Sequence, residues 1–152
     1  MVSLVLMRGM PGSGKTSWAE AWVAEEPLSR VRISRSDLRK MAHDGKYLSP
    51  IGKQKGTESM IIAMRDAMIR QLLKMGYSVV VDDTNLSPKH VQHFKRLAYE
   101  ALIPSFVIQD HRNVPFDTCQ SNNRRKPTPL PEEAMVRFYE IMMEGLKEEL
   151  TR

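Results

Sequence analysis

The sequence predicts an α/β fold in which four parallel strands are wrapped by helices. Short, nearly continuous apolar runs alternate with segments of helical period, and no internal repeat or low-complexity segment interrupts the alternation. A length of 152 residues fits one compact domain, 1–152. At 41% hydrophobic and 27% charged, the composition argues against disordered and membrane classes. No apolar run approaches the roughly 20 residues that span a bilayer, and Val2–Met7 is too short for a signal-peptide core before Arg8 interrupts it. An intracellular, cytoplasmic protein with no membrane partner is therefore expected. Cys119 stands alone, so it forms no internal disulfide and supplies no multi-cysteine zinc site; a buried or half-buried packing role is expected for it.

Val2 to Met7, bounded by glycine, reads as a strand buried on both faces of a parallel sheet. Lys15 to about Ala24 carries Trp18, Ala21 and Trp22 at helical spacing and is closed by Pro27, with both tryptophans expected in the core. Arg30 to Ser34 alternates Val31 and Ile33 with arginines and reads as a short strand, and Asp44 to Gly56, with three glycines and Pro50, reads as a loop. From Thr57 to Met75, residues Ile61, Met64, Met68, Leu72 and Met75 form an apolar stripe that stops at Gly76. Tyr77 to Val81 is the most strand-like run and ends abruptly in Asp82-Asp-Thr-Asn85. Ser87-Pro88 supplies an N-cap and a first-turn proline, with Val91, Phe94, Ala98 and Ala101 inward. Ser105 to Ile108 is the fourth strand, Asn113 to Pro129 an irregular basic connection, and Pro131 to Leu150 a closing helix with Met135, Phe138, Met142 and Leu146 inward.

Lys plus Arg total 23 against 18 Asp plus Glu, a net +5 that suits a polyanionic partner without establishing one. One basic cluster is Arg30, Arg32, Arg35, Arg39 and Lys40, and the other is Arg124, Arg125 and Lys126; a solvated face is the simplest reading of either alone. His43, His90, His93 and His111 show no metal-ligand constellation.

Gly9-Met-Pro-Gly-Ser-Gly-Lys15-Thr16 satisfies G-x-x-x-x-G-K-[ST] between a buried-strand signal and a helix signal, the context the motif requires. Gly9, Gly12, Ser13 and Gly14 let backbone N–H groups face a triphosphate, with Thr16 and Ser17 opening the helix behind them. Lys15 neutralises the β and γ phosphates, and the Thr16 hydroxyl is placed for Mg²⁺. The cofactors expected are thus ATP, or another nucleoside triphosphate, and Mg²⁺. The chain has no Asn-Lys-x-Asp string of guanine-specific GTPases and little room for motor machinery, which favours a small kinase.

Such a kinase must position an acceptor hydroxyl, take its proton and stabilise the transferring phosphoryl group. Arg35-Ser36-Asp37-Leu38-Arg39 follows the second strand, at the carboxyl edge where α/β sheets bind ligands; Asp37 is the candidate base and Arg39 the candidate acceptor-phosphate ligand. Helix capping by Ser36 or Asp37 competes with that reading. In Asp82-Asp83-Thr84-Asn85 an acid binds Mg²⁺ through water and Thr84 or Asn85 orients a neighbour, against the alternative of a plain Asx turn. Asn122-Asn123-Arg124-Arg125-Lys126, within a segment of about 120–129, reads as a lid, against a plain surface loop.

Taken together, Gly-Met-Pro-Gly-Ser-Gly-Lys-Thr-Ser-Trp at 9–18, Arg-Ser-Asp-Leu-Arg at 35–39, Asp-Thr-Asn-Leu-Ser-Pro at 83–88 and the arginine-bearing lid before Pro-Leu-Pro resemble the 5′-hydroxyl polynucleotide kinase family, specifically the kinase domain of its phage enzymes. The resemblance covers nearly the whole chain. It implies a P-loop kinase fold, a four-stranded parallel sheet flanked by helices, and transfer of the γ-phosphoryl of Mg-ATP to a 5′-OH end of DNA or RNA. It further implies that Lys15 and Thr16 handle phosphates and metal; the acid expected at the metal from the strand-end reading is Asp82. By the same resemblance Arg39 touches the acceptor strand's phosphate, Asp83 helps build the acceptor site, and Arg125 acts from the lid; Ser36, Thr84 and Asn85 are the further substrate-side candidates.

Two positions depart from the family pattern. The register of its general base holds Ser36, so Asp37 takes the role through a one-residue shift or the base is lost or replaced. Ser121 or Asn122 stands where the family has an earlier lid arginine. Other hydroxyl acceptors, such as a modified base in DNA, a nucleoside or a small metabolite, thus stay open, as does an ATP-dependent binding module. No Asp-x-Asp-Gly-Thr string follows, so a kinase without a phosphatase domain is expected. The sequence specifies no protein partner or oligomeric state.

Overall fold

A computed structural model describes residues 1–45 and 57–151. The strands are β1 (Ser3–Arg8), β2 (Arg30–Ile33), β3 (Ser78–Val81) and β4 (Ser105–Asp110). The helices are α1 (Lys15–Glu25), α2 (Arg35–His43), α3 (Thr57–Lys74), α4 (Pro88–Glu100), α5 (Phe116–Arg124) and α6 (Glu132–Leu150). The strands form one parallel sheet in the order β2-β3-β1-β4, with Leu6 paired to Val81 and Ile33 to Val81. Because all four run the same way, the loops after β1, β2 and β3 gather at one edge.

Successive strand side chains point to opposite faces, and the core divides accordingly. Leu4, Leu6, Val79 and Val81 face Ile61, Ile69 and Leu73 of α3 and Val91, Phe94 and Leu97 of α4. Val5, Met7 and Val80 face Ala19, with Trp18, Trp22 and Val23 against them. A third cluster, Met10, Leu86, Cys119, Met135 and Met142, seats α5 and α6 beside the loop after β1. Cys119 is fully buried there, as expected.

Several expectations are corrected. Trp18 and Trp22 are half-buried, their rings stacked 6.4 Å apart on the face of α1, and Arg30 covers the Trp22 ring at 4.5 Å. The stripe on α3 is rotated: Ile61, Arg65, Ile69 and Leu73 are buried in steps of four, while Met68 and Met75 are 40% and 60% exposed. The rotation lets α3 bury a charged side chain, which an apolar template cannot anticipate. On α4 the inward set includes Leu97, and Ala101 is the C-cap. Residues 116–124 of the expected irregular connection form α5. Of the expected loop Asp44 to Gly56, residues 46–56 lie outside the described residues. No described helix is long and apolar enough to cross a membrane.

Candidate active site

The loop from Gly9 to Gly14 leaves β1 and turns into α1. Its start is tied to the end of β3 by the Gly9 N–H donating to the Thr84 carbonyl at 3.0 Å. Gly12 and Gly14 have φ of 82° and 87°, the left-handed region that glycine adopts without strain. At Gly12 a β-carbon would also lie 2.4 Å from the Cys119 carbonyl oxygen, so α5 packs directly onto the loop. Gly14 is the N-cap of α1, which has neither a side-chain cap nor an acidic residue in its first turn. The first N–H groups of a helix lack intrahelical partners and carry the positive end of its dipole, and nothing on the α1 side chains answers them. That end is chemically suited to a phosphate.

Lys15 is buried, and its Nζ donates to the Met10 carbonyl at 2.7 Å. Burial pushes its ammonium down to about 8, opposed by the charge of Asp82 and aided by that of Lys126. Asp82, at the end of β3, accepts on Oδ2 from the Thr16 hydroxyl at 2.8 Å and from Arg32 Nε at 2.8 Å. A hydroxyl and a carboxylate are the hard oxygen donors that Mg²⁺ takes when phosphates and water complete its shell, so Thr16 and Asp82 fit that ion. Among the described residues no group of three or more His, Cys, Asp or Glu is placed to hold a metal ion.

The second half of the site lies on α2 and the end of β3. Ser34 caps α2 by accepting the Asp37 N–H at 3.1 Å. The cap is therefore Ser34, two positions before Ser36 and three before Asp37, the residues expected from sequence, and Asp37 is its first-turn acid. The Asp37 carboxylate accepts from Arg32 Nη1 at 2.6 Å and pairs with Lys40 at 3.4 Å. Partial burial raises the Asp37 carboxyl, but the hydrogen bond and charge of Arg32, with Ser34 and Lys40, outweigh it and hold the group below the usual range. Ser36 is exposed beside it. Arg39 grips Glu58 with Nε at 3.1 Å and Nη2 at 2.6 Å, and Arg35 Nη1 reaches the same carboxylate at 3.2 Å. Asp83 is buried and accepts the Arg35 backbone N–H at 3.0 Å. Thr84 is half-buried. Asn85, at φ 45°, donates to the carbonyls of Met7 and Asp83 at 2.9 and 3.3 Å and so braces the turn.

The structure thus gathers Gly9, Gly12, Ser13, Gly14, Lys15, Thr16 and Asp82 into one half, and Ser36, Asp37, Arg39 and Asp83 into the other. Ser17 is exposed on the first turn of α1, and Arg125 is exposed at the C-cap of α5. Asn122 donates to the Gly12 carbonyl at 2.8 Å, and Asn123 clamps Leu130 through both its amide nitrogen and its oxygen. The 124–130 loop carrying Arg124, Arg125 and Lys126 is therefore pinned at its base.

Sequence reading missed Arg32, Glu58 and His111 as parts of the site. His111 Nδ1 lies 2.9 Å from the Ser13 carbonyl and braces the loop from β4. For Arg32 a signal existed, since its cluster follows an alternating strand into the carboxyl edge. The other contacts depend on elements far apart in sequence.

Solved structures share this architecture. A chain of the Pnkp1/Rnl/Hen1 RNA repair complex matches with a TM-score of 0.79 and 24% identity over 97% of this chain, and a second structure of that complex with 0.68 and 27% over 86%. The chain spans less than half of those proteins, 46% and 41% of their lengths. The Mycobacterium tuberculosis APS kinase CysC, in complex with AMPPNP and APS, matches with a TM-score of 0.58 and 20% identity over 84% of this chain and 69% of that one. The likeness establishes a kinase-like P-loop fold. A family model for the AAA domain, AAA_33, matches residues 4–142, and the chain belongs to that family.

Proposed function

We propose that the chain is a 5′-hydroxyl polynucleotide kinase that transfers the γ-phosphoryl of ATP, with Mg²⁺, to a 5′-OH end of DNA or RNA. The observation that carries this reading is the meeting, at one sheet edge, of a phosphate-ready half (the uncapped α1, Lys15, Thr16 and Asp82) with a carboxylate-and-arginine half (Asp37 and Arg39). The motif order of the 5′-hydroxyl polynucleotide kinases supports it, as does the likeness to a chain of an RNA repair complex.

In this reading the N–H groups of Gly12, Ser13 and Gly14 and the first turn of α1 cradle the phosphates, and Lys15 leaves its Met10 carbonyl to neutralise them. Thr16 and Asp82 would hold Mg²⁺, which would supply charge neutralisation to the phosphates. The acceptor hydroxyl oxygen bonds to the γ phosphorus, its proton passes to Asp37, and the bond to the β–γ bridging oxygen breaks to release ADP. Arg39 holds an acceptor phosphate, Ser36, Asp83, Thr84 and Asn85 shape the acceptor seat, and Arg125 steadies the transferring group from the 124–130 loop.

A second reading, a kinase for a smaller hydroxyl acceptor, is favoured by the exposed Ser36 at the family's base register and by the Arg32 contact on Asp37. One assay separates the two: transfer from γ-labelled ATP with Mg²⁺ to 5′-OH DNA and RNA oligonucleotides, 5′-phosphorylated controls and a mononucleoside. Label on the 5′-OH strands alone is the expected result. Label on the mononucleoside alone would replace the first reading by the second.

A further inference from the structure

A buried ionic cluster near the site is centred on a residue that the phosphoryl-transfer reading does not use. Arg65 projects from the buried face of α3, its side chain 7% exposed. Its Nε donates to Asp66 Oδ1 at 3.1 Å, its Nη1 donates to Asp83 Oδ2 at 3.2 Å, and its guanidinium lies 4.8 Å from the centre of the fully buried Phe94 ring. Asp66 is held in turn by His93 Nε2 at 2.7 Å. The other oxygen of Asp83 accepts the backbone N–H of Arg35, the first residue of α2, and Arg35 Nε lies 3.4 Å from Oδ2. A continuous path therefore runs from α4 through Asp66, Arg65 and Asp83 to the start of α2, which carries Ser36 and Asp37 in its first turn and Arg39 just after it.

We propose that Arg65 is a positioning residue of the acceptor side: by holding Asp83 it fixes the first turn of α2, and with it Asp37 and Arg39, at the end of β3. The proposal rests on the reading of α2 as the acceptor half. Two physical points favour it over a purely structural role. A buried ion cluster adds little stability over apolar side chains of similar volume, so stability alone does not call for arginine beside Phe94. A planar fork with two donor directions reaches Asp66 and Asp83 at once while stacking on a ring, which an ammonium cannot do. Asp83 also accepts a backbone N–H of α2, while its charge reaches Lys15 only as a minor influence, so displacing it acts chiefly on α2.

The test is Arg65→Lys, which keeps the charge and loses the fork, with Arg65→Met as the stronger change. In Arg65→Lys, the acceptor KM for a 5′-OH oligonucleotide should rise about tenfold, the scale of one lost charge-assisted hydrogen bond, with the ATP KM unchanged. Amide hydrogen exchange should accelerate by a similar factor over 34–40 and stay unchanged over 9–18, which reports α2 without any assumption about substrate. Unchanged exchange over 34–40, or equal acceleration over both segments, would overturn the proposal, as would KM values for ATP and acceptor that rise together. If the wild-type protein transfers nothing to any oligonucleotide, the functional reading falls by itself. The exchange pattern then decides the role of Arg65: selective acceleration over 34–40 upholds it, and any other pattern rejects it. Should Arg65→Met fail to fold, Arg65→Lys carries the same outcomes.

Discussion

The first turns of α1 and α2 sit at the same edge of the sheet and meet opposite fates. Helix α1 begins at a left-handed Gly14 with no side-chain cap and no acid in its first turn. Helix α2 begins at Ser34, whose hydroxyl takes an N–H, and carries Asp37 three residues on. One terminus leaves its donors and its dipole for an outside anion, while the other satisfies them from within and keeps a carboxylate. The difference teaches how, in the proposed function, one edge would seat a triphosphate and an acceptor hydroxyl side by side. The uncapped α1 leaves its donors for an anion, whereas α2 gives a donor to Ser34 and presents Asp37 and Arg39, the pair that the proposed function assigns to the acceptor.

The contrast can be broken from either side. Lys15→Met should lower phosphoryl transfer on the order of 10²–10³-fold with the fold retained, because it removes the cation that joins the phosphates at the α1 end; wild-type rates would sink the assignment of that end. Asp37→Asn should cost about 10²-fold in kcat while ATP affinity changes by less than about twofold, as expected for a lost proton acceptor. If Ser36→Ala does the damage and Asp37→Asn does not, the roles on α2 are reversed. Gly12→Ala places a β-carbon against the Cys119 carbonyl at a φ of 82°, and should cost about 1–3 kcal/mol in a thermal or urea melt. A melt unchanged from wild type would show that α5 yields.

The pH dependence sharpens the comparison further. In the free protein, burial holds the Lys15 ammonium at about 8, and bound phosphates raise it, so the complex takes up a proton. Metal-free ADP affinity should therefore fall as pH rises above about 8, by no more than tenfold per pH unit, and calorimetry in buffers of different ionisation enthalpy should record the proton uptake. Affinity that stays flat to pH 9.5 would place no ionised Lys15 on the phosphates. The smallest effect is expected for Ser34→Ala: about 1 kcal/mol of stability from the lost cap, read by urea titration, with ADP affinity unchanged.

Much of the site was legible because the chemistry of the loop after β1 is local. Gly9 to Thr16 lie on consecutive residues between a strand and a helix, so spacing alone places the lysine, the hydroxyl and the helix end. Asp82 was legible for a related reason, since a polar residue at the end of a buried strand falls at the ligand edge of a parallel sheet. Arg32 lies in a cluster whose simplest reading from sequence is a solvated face, yet its guanidinium joins Asp37 to Asp82. The α3 stripe was misplaced because Arg65 occupies a core position, which no apolar period can reveal. Helix α5 was hidden in a segment of Asn, Ser, Thr and Asp, residues of weak helical preference, and forms where Cys119 packs under Met10 and Asn122 bonds Gly12.

By itself, then, the sequence determined the alternation of strands and helices and the phosphate-binding loop, because both depend on periodicity and on residues a few positions apart. Only the tertiary structure decided which charges answer one another: Arg32 with Asp37 and Asp82, Arg39 with Glu58, and Arg65 with Asp66 and Asp83. The physical reason is that a buried charge requires a partner, and most of these partners come from elements that only the packed sheet brings together.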